Sequence, residues 1–520
     1  INQITVVNQF EGPVIFNGES FVKNRKEYAE AAIEYNKNFN DHGITALVLG
    51  TAERYYDGGN QLPFNYLGVV SRATYQFKTK YFFDVNVGYN GSENFAKGKQ
   101  FGFFPSFSTG YIVSSEPFFP KTKSISYLKF RGSYGIVGND KIGGNRFLFT
   151  PSSFVSGGNY FLGLANTPLP GYREGTIGNP NVTWEQAKKL NIGTDFRIIN
   201  DLISVSVDYF KEERNNILWN LNVPITFGAG NLISPYNIGV AENKGFEVEM
   251  GYRATAGKTV TYSINGNYTF ARNKIVYMDE TPQPFPGLAA TGSRIGQLKG
   301  LLANGLFNTA EEIADPSRPK SVWEGAGLKP GDIRYVDVNG DGKIDDNDRV
   351  NIGNPNIPEI IYGLTTGIQW KGFELTIFLQ GAENVSAYLT GEAVWPFIAG
   401  TKTAFENATE RWTEERYLKG ETISMPRLTA SPEATKHNYR TSSFWMQDAS
   451  YLRLKNVELA YTIGKSPLNK LGVKSFRMYI NGQNLYTWTK MPFFDPEIAN
   501  SNGAVYPMTR IFNAGFNLQF

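Results

Sequence analysis

A two-residue rhythm of apolar and polar side chains runs through segment after segment of this chain, and it leaves few folds open. In YFFDVNVGYN, Tyr81, Phe83, Val85, Val87 and Tyr89 form one row, while Asp84, Asn86 and Asn90 fall in the other. In LISVSVDYF, Ile203, Val205, Val207 and Tyr209 oppose Ser204, Ser206 and Asp208. In GFELTIFLQ, Phe373, Leu375, Ile377 and Leu379 oppose Glu374, Thr376 and Gln380. In the closing RIFNAGFNLQF, Phe512, Ala514, Phe516, Leu518 and Phe520 oppose Asn513, Gly515, Asn517 and Gln519. Side chains alternate across a strand, so each segment reads as a strand with one apolar and one polar face. The rhythm predicts fifteen strands, at 26–39, 44–56, 67–77, 81–91, 101–114, 126–139, 185–198, 201–213, 243–255, 259–272, 357–370, 372–382, 451–463, 473–489 and 508–520. Many exceed ten residues, whereas globular strands average about five or six.

The connections alternate in length. Going back from Phe520 the long ones are 490–507, 383–450, 273–356, 214–242 and 140–184, and between them come short turns such as Lys371–Gly372 and Lys78–Lys80. A soluble sheet has no reason to gather its long loops at one end. A transmembrane antiparallel β-barrel does, with short periplasmic turns and long extracellular loops. Hydrocarbon offers backbone N–H and C=O groups no partner, so a sheet within it must close. The reading is therefore an all-β transmembrane barrel in the outer membrane of a bacterial cell. Single-chain bacterial barrels use even strand numbers, so further strands are expected upstream of Ile1. Residues 1–520 are expected to be one part of one barrel domain, with long extracellular loops at 273–356 and 383–450.

Two details strain the pattern. YLRLKNVELAYTI changes phase, with Leu452 and Leu454 in one row and Val457, Leu459 and Tyr461 in the other. A bulge near Asn456 would mend it. The 115–125 connection is long for a periplasmic turn. No apolar run of 18 residues appears, so no transmembrane helix is predicted.

Composition narrows the function. Charged residues are 19%, below the roughly 25% of soluble domains, and 29 tyrosines and 38 phenylalanines supply aromatics for strand ends. The net charge of +3 comes without a basic stripe, so no nucleic-acid partner is expected. There is no cysteine. The two histidines, His42 in a predicted periplasmic turn and His437 in a predicted external loop, show no Ser/Asp or acid partner of a catalytic set. No catalytic residue is predicted, and the chain does not read as an enzyme. Arg477, Glu374 and Asp208 are placed on the wet inner face. Segment 401–420 has helical spacing, with Phe405, Ala408 and Trp412 on one side. Phe119, Trp323 and Trp395 are loop aromatics able to stack on a sugar or peptide, although packing alone accounts for such residues.

One segment has metal-ligand spacing. DVNGDGKIDDND, 337–348, matches a calcium loop with oxygens at positions 1, 3 and 5, Gly at 6, a backbone carbonyl at 7 and acids at 9 and 12. The ligands would be Asp337, Asn339, Asp341, the Lys343 carbonyl, Asp345 and Asp348, with Gly342 at the turn and Ile344 packed inward. A calcium or magnesium ion is the expected occupant, and its role would be to stiffen the loop. The plain alternative is a self-bonded turn rich in Asp, Asn and Gly.

Several stretches in order, covering nearly the whole chain, resemble the SusC/RagA family of TonB-dependent outer-membrane transporters. They include GYNGSENF (88–95), LKFRGSYGIVGN (128–139), IGNPNVTWEQAKKLNIGTDF (177–196), GDIRYVDVNGDGKIDDNDRVNIGNPNIPE (331–359), DASYLRLKNVELAYT (448–462) and INGQNLYTWTKMPFFDPE (480–497). The resemblance implies a 22-stranded barrel of which this chain is the C-terminal portion, with a plug and a TonB-binding segment upstream. It implies a SusD-like surface lipoprotein as lid and oligosaccharide or oligopeptide cargo, and leaves open a dimer of transporter–lid pairs. It also implies that the last strand, through Phe512, Phe516, Leu518 and Phe520, is recognised by the barrel-assembly machinery. The expected function is TonB-dependent active import of oligomeric nutrients. A passive large-bore porin is the alternative, and a soluble glycan-binding protein or a barrel enzyme fits less of the pattern.

Overall fold

The computed structural model describes residues 24–520, apart from 59–61, 121, 123, 142–145, 153, 165, 225, 227, 229–231, 258, 326, 399–401, 431–435, 465–471, 498–501 and 504. Fifteen strands form one antiparallel sheet in strict chain order. We label them β1 (Arg25–Phe39), β2 (His42–Tyr56), β3 (Phe64–Phe77), β4 (Tyr81–Ser92), β5 (Phe101–Ile112), β6 (Ile125–Asn139), β7 (Glu185–Ile198), β8 (Ile203–Trp219), β9 (Tyr236–Ala256), β10 (Val260–Tyr277), β11 (Ile360–Trp370), β12 (Phe373–Glu383), β13 (Tyr451–Ile463), β14 (Ser475–Thr489) and β15 (Ile511–Gln519). Each predicted strand has its counterpart. The largest difference is that β8, β9 and β10 run several residues further into the long loops. Their backbone ladder continues past the point where the apolar alternation stops.

The register carries each face across the sheet. Val85 pairs with Phe107, and Phe107 with Tyr134. Phe373 pairs with Tyr461, Tyr461 with Met478, and Met478 with Phe516. All of these side chains but the half-buried Tyr461 stay exposed, as do Ile33, Ile192 and Ile480. A contiguous apolar surface of this extent needs an apolar medium. The opposite face is polar in the same continuous way. Asp84, Ser108, Ser133 and Asn191 lie in one row, and Ser206, Glu249, Asn267, Gly363 and Gln380 in another.

The phase change in β13 is resolved as expected. Phe378 pairs with Asn456 and Leu379 with Leu454, so Lys455 is the extra residue of a bulge. At one end of the sheet most of the turns are tight. Lys371 and Gly372 both have positive φ (47° and 93°), the primed geometry whose twist matches that of the strands it joins. At the other end the connections are long, and the buried apolar residues collect there. Leu301, Ile333, Tyr335, Ile344, Val385, Leu389, Val394, Met425, Trp445, Ala449 and Met491 form one packed cluster drawn from 278–359, 384–450 and 490–510. A smaller cluster of Phe95, Phe104, Val182 and Trp184 joins 93–100 to the end of the 140–184 loop. That loop also holds a hairpin, Phe154–Leu162 with Thr167–Glu174, which the alternation did not mark as strand.

Candidate functional site: the polar wall and the loop body above it

The polar face is built from alternate residues of every wall strand, so its chemistry is set by the rhythm itself. Hydroxyls and amides are frequent on it, and several of its cations are tied to acids. Arg131 on β6 lies between Asp195 on β7 and Asp208 on β8, with Nε 3.1 Å from Asp195, while Ser206 Oγ donates to Asp195 at 2.7 Å. Arg72 pairs with Asp84 on the next strand. Arg477 on β14 pairs with Glu458 on β13 and reaches Glu374 on β12 at 3.4 Å. Asp208, Glu374 and Arg477 thus lie on the polar face, as the alternation predicts. Paired charges hold the wall's net field low, so the surface presents hydrogen-bond donors and acceptors rather than one sign of charge.

Above the wall the long loops form one body. His437 is buried at its centre, 2% exposed, with Nε2 2.8 Å from the Ile333 carbonyl and the ring 5.0 Å from that of Tyr335. Nδ1 has no partner. Burial pushes the His437 pKa down, so the ring is neutral and donates from Nε2. Beside it Asp332 accepts from Asn438 Nδ2 at 2.9 Å and pairs with Arg427 at 2.8 Å. These are structural roles. His42 is the first residue of β2, with Nδ1 2.8 Å from Tyr75 Oη.

Two anchors tie the body to the wall, and a third contact joins loop to loop. Glu359, 5% exposed, receives Arg272 of β10 through two bonds of 2.8 and 2.7 Å and Arg294 at 3.0 Å. Burial opposes its charge, yet the two guanidiniums hold its carboxyl below the usual range. Arg453 of β13 is fully buried. It donates Nε to Thr487 at 2.9 Å and Nη2 to both oxygens of Asp495 at 2.8 and 2.7 Å, and it also binds Glu497. Leu301 donates its N–H to the Thr441 carbonyl at 2.9 Å, joining two loops directly. Sequence reasoning passed over Arg453, Asp495 and Glu497. The one available signal was a cation inside a strand that otherwise reads as apolar and polar rows.

The segment 337–348 folds as a closed loop. Asp337 accepts from Gly340 N–H at 2.7 Å and Gly342 N–H at 2.8 Å, Asn339 from Asp341 N–H, Asp341 from Lys343 N–H, and Asp345 from Asn347 N–H. Asp348 is fully buried and accepts from Val338, Asn339 and Asp345. Ile344 packs inward, into the large apolar cluster. Each carboxylate oxygen has two lone pairs, so these bonds leave acceptor capacity for a cation. Among the described residues, no group of three or more His, Cys, Asp or Glu is gathered around a metal position. That geometry equally describes a self-bonded turn.

The terminal row is placed as read: Phe512, Phe516, Leu518 and Phe520 are exposed on the apolar side. The loop aromatics are not gathered into a site. Phe119 lies at the tight-turn end, away from the long loops. Arg440 covers Trp323 at 4.2 Å, and Trp395 stacks flat on Tyr439 at 4.7 Å. The 401–420 segment holds a 3-10 turn at Glu406–Glu410 and one helical turn at Glu414–Leu418, with Ala408 buried and Phe405 exposed.

Comparison with known proteins fits this architecture. Residues 2–485 match the family model described as TonB dependent receptor-like, beta-barrel. TonB-dependent receptor P3 of Formosa agariphila is 26% identical over 551 residues, which cover 95% of this chain and 52% of that protein. TonB-dependent receptor SusC of Bacteroides thetaiotaomicron is 25% identical over 457 residues, 86% of this chain and 43% of that protein. The solved RagAB peptide transporter superposes with a TM-score of 0.74 at 21% identity, covering 96% of this chain and 56% of that one. In its open-open state the RagAB peptide importer gives 0.73 at 20% identity, covering 96% and 54%. The chain spans about half the length of the curated relatives it matches.

Proposed function

The chain belongs to the TonB-dependent receptor-like β-barrel family, a family of the bacterial outer membrane, and on that premise we propose that it forms most of the wall of an active importer for oligomeric nutrients. The apolar face meets lipid and the polar face lines the bore. The long loops form the extracellular docking body, and energy arrives through TonB by way of a segment outside this chain. A SusD-like surface lipoprotein closes over the loop body. The cargo is an oligosaccharide or an oligopeptide, and the likeness to a peptide transporter favours the latter.

The observation that carries this reading is the mainly polar wall, with rows such as Asp84–Ser108–Ser133–Asn191, beneath a packed loop body held by buried ion pairs at Glu359 and Arg453. A wall of that kind passes polar oligomers without trapping them, since conduction requires binding weak enough to release. The barrel breaks no bond in this scheme. The test is uptake of labelled oligopeptides and oligosaccharides by cells with and without the gene, with and without a protonophore. Uptake that needs both the gene and the proton gradient is expected. Gene-dependent uptake that survives the protonophore makes the protein a passive pore and overturns the proposal. Deleting the neighbouring lipoprotein gene tests the lid separately.

We also propose that a divalent cation, calcium before magnesium, sits in the loop 337–348 and stiffens it. The alternating oxygen donors and the inward Ile344 support this. Recognition of Phe512, Phe516, Leu518 and Phe520 by the assembly machinery is proposed on the strength of their exposed, lipid-side row.

A further inference from the structure

The tight-turn end of the sheet faces the periplasm, and two connections there, 113–124 and 464–474, are longer than the rest; the first is fastened by contacts of its own. Between β5 and β6 the chain takes residues 113–124 to make a turn that Asn40–Asp41 or Lys371–Gly372 makes in two. Its first part, 113–119, is held by specific contacts. Val113–Ser115 forms a 3-10 turn, closed by Glu116 N–H on the Val113 carbonyl at 3.0 Å. The Glu116 carboxylate, 11% exposed, accepts from Tyr81 Oη at 2.6 Å and from Lys80 Nζ at 3.2 Å. Tyr81 belongs to the lipid-side row of β4 and lies flat on Tyr111, with ring centroids 4.9 Å apart and 9° between planes. Glu116 therefore fastens the segment to the outer rim of the barrel rather than across its mouth.

Beyond Glu116 the segment turns apolar. Phe118 is 73% exposed, and Phe119, whose N–H bonds the Glu116 carbonyl at 3.2 Å, is half-buried. Ile125, at the start of β6, is exposed and pairs with Ile198, which extends the lipid-side row to the rim. An exposed phenylalanine at this level, continuous with a lipid-facing surface, matches the aromatic belts found where membranes meet water.

We propose that the 113–120 turn is a membrane-interface anchor, with Phe118 seated in the headgroup and glycerol zone of the phospholipids of the periplasmic leaflet. Glu116 sets its angle, and the anchor fixes the depth and tilt of the wall on the β4–β6 side. The inference rests on the membrane orientation of the barrel and not on transport, so uptake experiments and this one fail independently.

This chain contains no cysteine, so Phe118→Cys introduces its one thiol for a nitroxide label. The full-length protein, freed of any other cysteine and reconstituted in phosphatidylethanolamine–phosphatidylglycerol vesicles, is compared by spin-label accessibility to oxygen and to a water-soluble nickel chelate. Phe107→Cys, in the lipid-side row, and Glu415→Cys, in an exposed external helix, supply the two references. The oxygen-to-nickel ratio at position 118 is expected to shift from the Glu415 value toward the Phe107 value. Adding Glu116→Ala should move it back toward water while the barrel remains folded by its heat-dependent gel mobility. A ratio at the Glu415 value overturns the anchor, whether the ring is bare or covered by a periplasmic protein. A ratio unmoved by Glu116→Ala overturns the fastening.

Discussion

Replacing Arg453 by methionine should free the last external loop from the wall while leaving the barrel standing. The side chain is fully buried and spends its donors on Thr487, Asp495 and Glu497. Removing one partner of a buried ion pair costs about 3–5 kcal/mol, because the other is left uncompensated. Here the orphaned carboxylates are 28% and 31% exposed, so water recovers part of their solvation. The lower figure applies, about 3 kcal/mol, or about a hundredfold in the opening equilibrium at roughly 1.4 kcal/mol per tenfold. The assay is amide hydrogen exchange over 490–510 in detergent micelles, read against exchange in β4 and β5 as an internal reference. Protection in the loop should fall by about two orders of magnitude with the reference unchanged. Arg453→Lys should fall between, since an ammonium cannot engage both acids as a planar fork does. Adding Asp495→Asn and Glu497→Gln to Arg453→Met should restore part of the loss, because the stranded charge goes with them. If Arg453→Met leaves loop exchange within a few-fold of the parent, the anchor is ornamental and the reasoning fails.

The two faces predict opposite outcomes for neighbouring residues: Val85→Arg should lower the unfolding free energy in lipid by about 2–4 kcal/mol near the midplane, while Asn86→Arg is tolerated, as urea titration in vesicles would read. Lowering the pH should loosen the loop body. Burial holds the folded His437 pKa below its usual 6.5, so its contribution is intact above that value and falls as pH drops from 6.5 toward the folded pKa; proteolysis of the external loops at pH 7.5 and 5.5 reads this, and His437→Phe should flatten it. Calorimetry at millimolar calcium should show saturable heat that Asp337→Asn with Asp341→Asn removes; absence of heat in the parent leaves the self-bonded turn as the whole account. Deleting Phe520 should slow assembly into the outer membrane in pulse-chase experiments, and unchanged kinetics would reduce that ring to a member of the aromatic belt.

The site was legible in unequal parts. Asp208, Glu374 and Arg477 could be put on the inner face because the alternation says which way each points, though not which partner each meets. Arg131 joins Asp195 and Asp208 across three strands, and that pairing depends on register. His437 reads in sequence as an isolated histidine in a loop. Its burial follows from contacts with Ile333 and Tyr335 about a hundred positions away. The loop hairpin at 154–174 went unmarked because both its faces meet water, which imposes no alternation.

The rhythm determined the wall: fifteen strands in order, which face each residue takes, and the bulge that Lys455 creates in β13. Hydrocarbon on one side and water on the other force that pattern at every second residue, so it is written locally and can be read locally. Tertiary structure alone decided how the loops meet. The bond from Ile333 to Asn438 spans 105 residues, Arg453 reaches forward to Asp495, and Arg272 reaches Glu359. Such contacts have no period. They are chosen by which apolar and charged groups can be buried together once the wall has brought the loop ends side by side.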